Sequence, residues 1–275
     1  MGITIDVLDM GNVTIDQAFL VRGRPWGVPI TIPVYAFLLR GAGANPILVD
    51  TGYRSPDVLT RLGLGAEVPE GRGLEAQLAR HGLAPGDIGC VVMTHLHCDH
   101  AGKIHTFPMS TPVVVNRREM EFAASGAQGE FYAHEDVHHL LDRVYTPGAL
   151  ALLDLDYSGP IEIAPGVVCE RAGGHTPGLM FIRVETDEGI ATICSDVIYN
   201  VPDQLVAPLQ TIAAWEPQVS NNFTSSLLEE KGAIRRALQR TTFLLPSHSC
   251  GARAEHARVT GLLRGTRVPG PHSPL

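Results

Sequence analysis

The N-terminal part of the chain is patterned for strands. ITIDVLDMG (3–11), NVTID (12–16) and ITIPVYAFLLRG (30–41) alternate or cluster apolar residues over strand lengths, and ILVD (47–50) stops sharply at Thr51-Gly52. The period then changes. Leu74 and Leu78 stand four apart between Gly73 and His81, with Gly82 placed to end a helix in the left-handed region. Pro85-Gly86-Asp87 turns the chain into CVVMTH (90–95), a buried strand that runs straight into a histidine-rich loop. Beyond it the pattern predicts a strand at PVVVN (112–116), helix over 117–143, and strands near 150–155, 161–171, 178–186 and 190–195. Ser226 and Glu229 form a capping box for a helix with Leu227, Ile234 and Leu238 at helical spacing, and TTFLLPSH (241–248) reads as a strand ending in a histidine. No repeat, low-complexity tract or linker interrupts residues 1–275, which read as a single domain whose Pro- and Gly-rich tail, about 265–275, is expected to fray. Strands in two groups with helices around them predict an α/β architecture of two facing sheets covered by helices on both outer faces.

Composition narrows the function. At 275 residues and 44% hydrophobic, the chain can bury a full core without disulfide or metal staples. No apolar run approaches the ~20 residues of a bilayer span, so no membrane partner is expected. The opening MGITIDVLDMG carries acids in place of a basic n-region, so a secretory leader is not expected either. A net charge of −8 without basic clusters argues against a nucleic-acid partner. Five cysteines (Cys90, Cys98, Cys169, Cys194, Cys250) form no CxxC pair, which reads as reduced thiols and a cytoplasmic location. A homodimer is left open, with no segment identified for it. The unusual count is histidine, at twelve.

His95-Leu96-His97-Cys98-Asp99-His100 is the strongest signal. In extended backbone an H-x-H pair sends both imidazoles to one side, and the turn toward Ala101-Gly102 aims Asp99 and His100 at a second point nearby. Imidazole-rich ligation with a carboxylate suits Zn²⁺ and tolerates Mn²⁺, Fe²⁺ or Co²⁺. A second pattern competes: His134-Glu135-Asp136-Val137-His138 is literally H-E-x-x-H. Its surroundings, HEDVHHLLDR, lack the apolar face of a buried metalloprotease helix, with Leu140, Leu141 and Val144 as one modest stripe. It reads as a solvated or cleft-facing helix from which His134, His138 or His139 would reach a substrate.

At these residues the chain resembles the metallo-β-lactamase superfamily, whose hallmark is H-x-H-x-D-H at a strand end. ILVDTG (47–52), Gly174-His175-Thr176-Pro177-Gly178, Ser195-Asp196 and Pro246-Ser247-His248 extend the resemblance over most of the chain. It implies a four-layer αββα sandwich with two divalent metal ions, zinc foremost, at one edge. One ion would take His95, His97 and His175, the other Asp99, His100 and His248, with Asp196 bridging and Asp50 supporting the ligands from behind. Tyr199, three residues after Asp196, is similar in placement to a tyrosine of the N-acyl homoserine lactonase branch. The implied reaction on a small-molecule substrate is opening of a lactone by a metal-bound hydroxide. Tyr199 and Asp99 would be catalytic, the first as oxyanion donor and the second returning the proton to the alkoxide. The alternative is hydrolysis of another small cyclic ester, amide or thioester, with a mononuclear iron sulfur dioxygenase further behind. The Phe19–Thr31 segment corresponds to a pocket-shaping loop in that branch, so Arg22, Arg24 and Trp26 are substrate-contact candidates, and an arginine there would favour an acidic or polar substrate.

Overall fold

A computed structural model describes residues 2–206, 215–222 and 224–274. One sheet comprises β1 (Thr4–Asp16), β2 (Pro29–Arg40), β3 (Ile47–Val49), β4 (Gly65–Glu67), β5 (Cys90–Val92), β6 (Val113–Asn116), β7 (Leu150–Leu153) and the late strand Arg267–Val268. The other comprises β8 (Ile161–Ala164), β9 (Val167–Arg171), β10 (Met180–Thr186), β11 (Gly189–Ile193), β12 (Phe243–Leu245), β13 (Ala252–Glu255), β14 (Arg258–Leu263) and His272–Pro274. Period-two alternation sorts their side chains into three apolar layers. Phe37 and Leu39 of β2 meet Met180 and Ile182 of β10 between the sheets. Their neighbours Ala36 and Leu38 face the opposite way, onto Leu74 and Leu78 of helix Leu74–Arg80 and Met120 of helix Arg117–Ala123. Phe181 likewise turns outward onto Ala233, Ile234 and Ala237 of helix Leu227–Leu238. The result is the expected αββα sandwich.

The pairing places the functional edge. β3, β5, β6 and β7 run parallel, so their C-terminal ends lie side by side. In the second sheet β11 and β12 are also parallel, with Ile193 opposite Leu245. The two sheets touch at this edge, where Met180 N–H donates to the Thr94 carbonyl at 3.0 Å and Tyr35 N–H to that of Ser247 at 2.9 Å.

Four expectations need correction. Segments 3–11 and 12–16 form one bulged strand, β1, with the irregularity between Asp9 and Gly11. The 161–171 segment is a hairpin, β8 and β9, turning at Gly166 with φ 76°. Helix over 117–143 is interrupted: Arg117–Ala123 and His134–Val144 are separate helices, and Gly126 and Gly129, both at positive φ, carry the chain between them. The tail is paired instead of frayed, because Val268, buried between the sheets, fixes its strand opposite Ile5, and Leu262 pairs with Ser273.

Helix His134–Val144 also docks differently from its sequence reading. Leu141 and Val144 are exposed, while Asp136, Leu140 and Arg143 are buried. Arg143 donates to the carbonyls of Phe107, Thr111 and Ala149 at 2.7, 2.9 and 3.2 Å. Asp136 accepts from Arg54 at 2.7 Å. Hydrogen-bonded ions supply the anchoring that an apolar stripe does elsewhere.

Candidate metal centre

The strand ends deliver seven potential ligands to one place, in three overlapping groups: His95, His97 and His175; His95, His100 and Asp196; Asp99, His100 and His248. His95 and His97 leave the C-terminal end of β5, and Asp99 and His100 lie on the short helix Cys98–Ala101 that follows. His175 comes from the turn before β10, Asp196 from the one after β11, and His248 from the end of β12. The H-x-H-x-D-H segment thus aims at two points, with the other three side chains completing them across the sheet junction.

The buried polar atoms fit cations. His95 Nε2 and His100 Nε2 are buried without a well-aligned hydrogen bond, although His100 Nε2 lies 3.2 Å from Asp196 Oδ1. His175 Nε2 and His97 Nδ1 approach to 3.0 Å. Two nitrogens bound to one tetrahedral zinc by ~2.0–2.1 Å bonds stand ~3.3 Å apart, so this is the spacing of co-ligands. On the other side, His248 Nε2 lies 3.4 Å from Asp99 Oδ2 and 3.3 Å from Asp196 Oδ2. The same Asp196 Oδ2 is 3.7 Å from His175 Nε2, which places Asp196 between the two groups.

Outer hydrogen bonds fix which nitrogen faces inward. His100 Nδ1 donates to Asp50 Oδ2 at 2.9 Å and His248 Nδ1 to the Pro33 carbonyl at 2.8 Å, leaving each Nε2 lone pair toward the cluster. Asp50 also accepts from Thr94 N–H at 2.8 Å and the Thr94 hydroxyl at 2.7 Å. It does so from a left-handed backbone, φ 60°, and Ser195 beside Asp196 is similarly placed at φ 49°. Such conformations cost about 1–3 kcal/mol for a non-glycine residue and persist where surrounding bonds over-determine them.

Electrostatics divide the cluster. Burial pushes His95 and His175 well below the usual imidazole range and His97 down to about 4, so the first group is neutral at pH 7 and ready to ligate. Burial works the same way on His100 and His248, but the carboxylates beside them outweigh it and raise both. Asp196 is held well below the usual carboxylate range because His248 and His100 overcome its desolvation. Tyr199 Oη lies 3.2 Å from His175 Nδ1 and its ring stacks on His248 at 5.6 Å. Burial and then Asp196 drive its phenol well above the usual range, so it keeps its proton.

A cavity of about 320 Å³ opens on this cluster. His97, Asp99, His175, Asp196, Tyr199 and His248 form its floor, and Val13, Ile15, Phe19, Leu20, Ile32, Leu59, Leu64 and Phe131 its walls. Arg22, Arg24, Trp26 and His138 are not among its described lining residues. Arg24 pairs with Asp203 at 2.7 Å, and exposed Trp26 packs edge-on against Phe19 at 4.9 Å, one residue back from the cavity. The rings of His134 and His138 lie 4.2 Å apart, tilted at 41°, on an exposed helix face, and Glu135 faces Arg61 at 3.4 Å, so the H-E-x-x-H segment assembles no third ligand among the described residues.

Sequence reasoning missed Glu119 and Gln204. Glu119 is fully buried and accepts from the Leu96 N–H between His95 and His97 at 3.0 Å, and Gln204 accepts from Tyr199 N–H at 2.7 Å and Asn200 N–H at 2.9 Å, holding the tyrosine's loop. Neither sits in a motif; their partners are distant in sequence or belong to an irregular loop.

Comparison with known proteins agrees with the geometry. Residues 30–240 match the model of the metallo-beta-lactamase superfamily. The chain is 31% identical over 230 residues to the N-acyl homoserine lactonase AiiB of Agrobacterium fabrum, covering 73% of this chain and 79% of that one. It is 26% identical over 232 residues to the N-acyl homoserine lactonase AiiA of Bacillus thuringiensis subsp. kurstaki, covering 80% and 84%. Among solved structures, an N-acyl homoserine lactone hydrolase with N-hexanoyl-L-homoserine at its catalytic metal centre superposes with TM-score 0.70 at 22% identity over 90% of this chain and 94% of that one. The dizinc quorum-quenching lactonase AidC does so with TM-score 0.64 at 16% identity, over 99% and 94%.

Proposed function

Because this chain belongs to the metallo-beta-lactamase superfamily, we propose that it is an N-acyl homoserine lactonase, a hydrolase that adds water across the ring ester of an acylated lactone. The observation that carries the reading is the junction of seven ligand-type side chains with Tyr199 and an apolar-walled cavity. His95, His97 and His175 would hold one divalent ion and Asp99, His100 and His248 another, with Asp196 shared; the imidazole-rich donor set favours zinc. When bound, such ions supply Lewis acidity toward an acyl oxygen and a nucleophile at neutral pH.

The chain's own residues supply the rest. Tyr199, protonated and buried at the cavity floor, donates its O–H to the ester carbonyl oxygen as charge develops there. Asp99, which also lines the floor, carries a proton to the alkoxide released from the ring. The acyl chain lies along Val13, Ile15, Ile32, Leu59 and Leu64, which also shed water from the reacting ester. These apolar walls support an apolar acyl group, in place of the acidic or polar substrate that an arginine in the Phe19–Thr31 loop would select. Five unpaired cysteines and the acidic balance support a cytoplasmic location.

The test is a panel assay on protein stripped by chelator and reloaded with Zn²⁺, Mn²⁺, Fe²⁺ or Co²⁺ separately. N-acylated γ-lactones should be opened fastest, ahead of δ-lactones, thioesters, β-lactams and amides. Inactivity on both lactone classes, or near wild-type kcat in Asp99→Ala, overturns the assignment.

A further inference from the structure

The two segments that supply the first group of imidazoles are separated by some 80 residues, yet one carboxylate ties them together. Glu119, fully buried on helix Arg117–Ala123, accepts four hydrogen bonds. Its Oε1 takes the Leu96 N–H at 3.0 Å and the Tyr132 hydroxyl at 2.8 Å. Its Oε2 takes the Thr176 hydroxyl at 2.7 Å and the Gly178 N–H at 3.1 Å. Leu96 lies between His95 and His97, and Thr176 follows His175 directly. A second tie runs alongside, from Asn116 Nδ2 to the Gly178 carbonyl at 2.9 Å.

The approach is tight. A Cβ on Gly178 would stand 2.1 Å from Glu119 N and 2.4 Å from its Cα, so only glycine lets the His175 turn reach the helix start. Tyr132, held by the carboxylate, sets its ring edge-on to His97 at 4.8 Å. Among the described residues nothing comparable links Glu119 to the second group, whose outer partners are Asp50 for His100 and the Pro33 carbonyl for His248.

We infer that Glu119 is a positioning residue for one of the two ions only: it fixes the spacing of His95, His97 and His175 through their backbones. This rests on the two-ion reading above. A glutamine at 119 would be nearly isosteric but would turn an N–H₂ toward two of the four donors, leaving them buried and unpaired. Outer-shell substitutions typically change metal affinity about 10–100-fold, and here the loss falls on one ion.

The experiment compares wild type, Glu119→Gln and Asp50→Asn, each loaded with Co²⁺ and dialysed against rising chelator, with ions per chain and the Co²⁺ absorption spectrum read at each step. Thr176→Val and Tyr132→Phe, which each remove one donor and leave the carboxylate, accompany them in case Glu119→Gln does not fold. Expected are one ion lost at about 10–100-fold lower chelator in Glu119→Gln, a smaller loss in the same direction in the two donor variants, and a different residual spectrum in Asp50→Asn, which loosens the other ion directly through His100 and reaches His95 only through the Thr94 hydroxyl. Glu119→Gln retaining both ions like wild type overturns the inference, and so does loss of both in parallel. If Glu119→Gln does not fold, unchanged affinity in both donor variants overturns it instead. Wild type that retains two ions while these outcomes occur leaves the metal reading standing; wild type that holds none removes both.

Discussion

Replacing Tyr199 with phenylalanine isolates one proton. The ring keeps its stacking on His248 and its edge contact with His175 at 5.7 Å, so packing is conserved. What disappears is the Oη atom 3.2 Å from His175 Nδ1. With His175 ligating through Nε2, its proton sits on Nδ1 and points at that oxygen, so the phenol's own hydrogen turns to the other side, toward Asp196 on the cavity floor, from which a bound ester carbonyl would take it over. Loss of one oxyanion donor costs about 10²–10³ in kcat where it is a principal stabiliser. Tyr199 shares the carbonyl oxygen with a site built for cations, so the expected loss is about 10–100-fold, or ~1.4–2.7 kcal/mol. Because burial holds the phenol protonated, the deficit should be constant from pH 6 to 9. Steady-state kinetics on an N-acyl lactone, with metal content measured on the same samples, decides it. A kcat within threefold of wild type, a deficit that vanishes at one end of the pH range, or loss of metal would each refute the donor role.

Three further outcomes follow from the same geometry. Lengthening the acyl chain from four to eight carbons should raise kcat/KM about tenfold or more, since each buried methylene contributes up to ~0.8 kcal/mol, whereas Arg22→Ala and Arg24→Ala should leave that series unchanged; a flat series counts against the apolar wall. Burial raises Asp136 to about 6 despite Arg54, so the fold favours its protonated form: that stabilisation is complete below the unfolded carboxylate range and is lost as pH rises through about 6. The stability advantage of wild type over Asp136→Asn in denaturant titrations should therefore shrink by about 2–3 kcal/mol between pH 4.5 and 7.5, a difference in which the opposing contribution of the buried neutral histidines cancels, and parallel profiles for the two proteins would contradict it. Gly178→Ala, which drives a Cβ into helix backbone, should lower stability by about 3 kcal/mol, against ~1–2 kcal/mol for Gly63→Ala, where only the positive φ of 76° is strained and nothing lies within 4 Å.

The ligands were legible because they cluster in the short segments that follow strand ends, where local pattern and chemistry coincide. CVVMTH announces both a buried strand and its first histidine, and LLPSH does the same for His248. The helical break at 124–133 was less visible, since alanine and serine there do not oppose helix and only Gly126 and Gly129 mark the turn. That break matters, because it brings Gln128–Phe131 to the cavity. Arg22 and Arg24 misled for the converse reason: charge in a pocket-shaping loop says nothing about direction, and Arg24 turns to Asp203, nearly 180 residues away. Glu119 was invisible, because an acid in REMEF reads as an exposed helical residue until its distant partners are known.

Two buried acids that are absent from the ligand groups, Asp50 and Glu119, explain why the centre can be held at all. The ligand nitrogens must sit about 3 Å apart with lone pairs converging, an arrangement that repels when no cation is present. Apolar packing is non-directional and would let the loops relax apart. A carboxylate that accepts several short hydrogen bonds is directional, and its desolvation cost is offset only while every donor stays in place. Asp50 fixes Thr94 and His100; Glu119 fixes Leu96, Thr176 and Gly178. The H-x-H-x-D-H segment is thereby clamped from both sides, by an acid on β3's end and an acid on the helix after β6. Such clamps convert the rigidity of two parallel strand ends into a preformed set of ligand positions, which is why the strained φ of Asp50 is tolerated there.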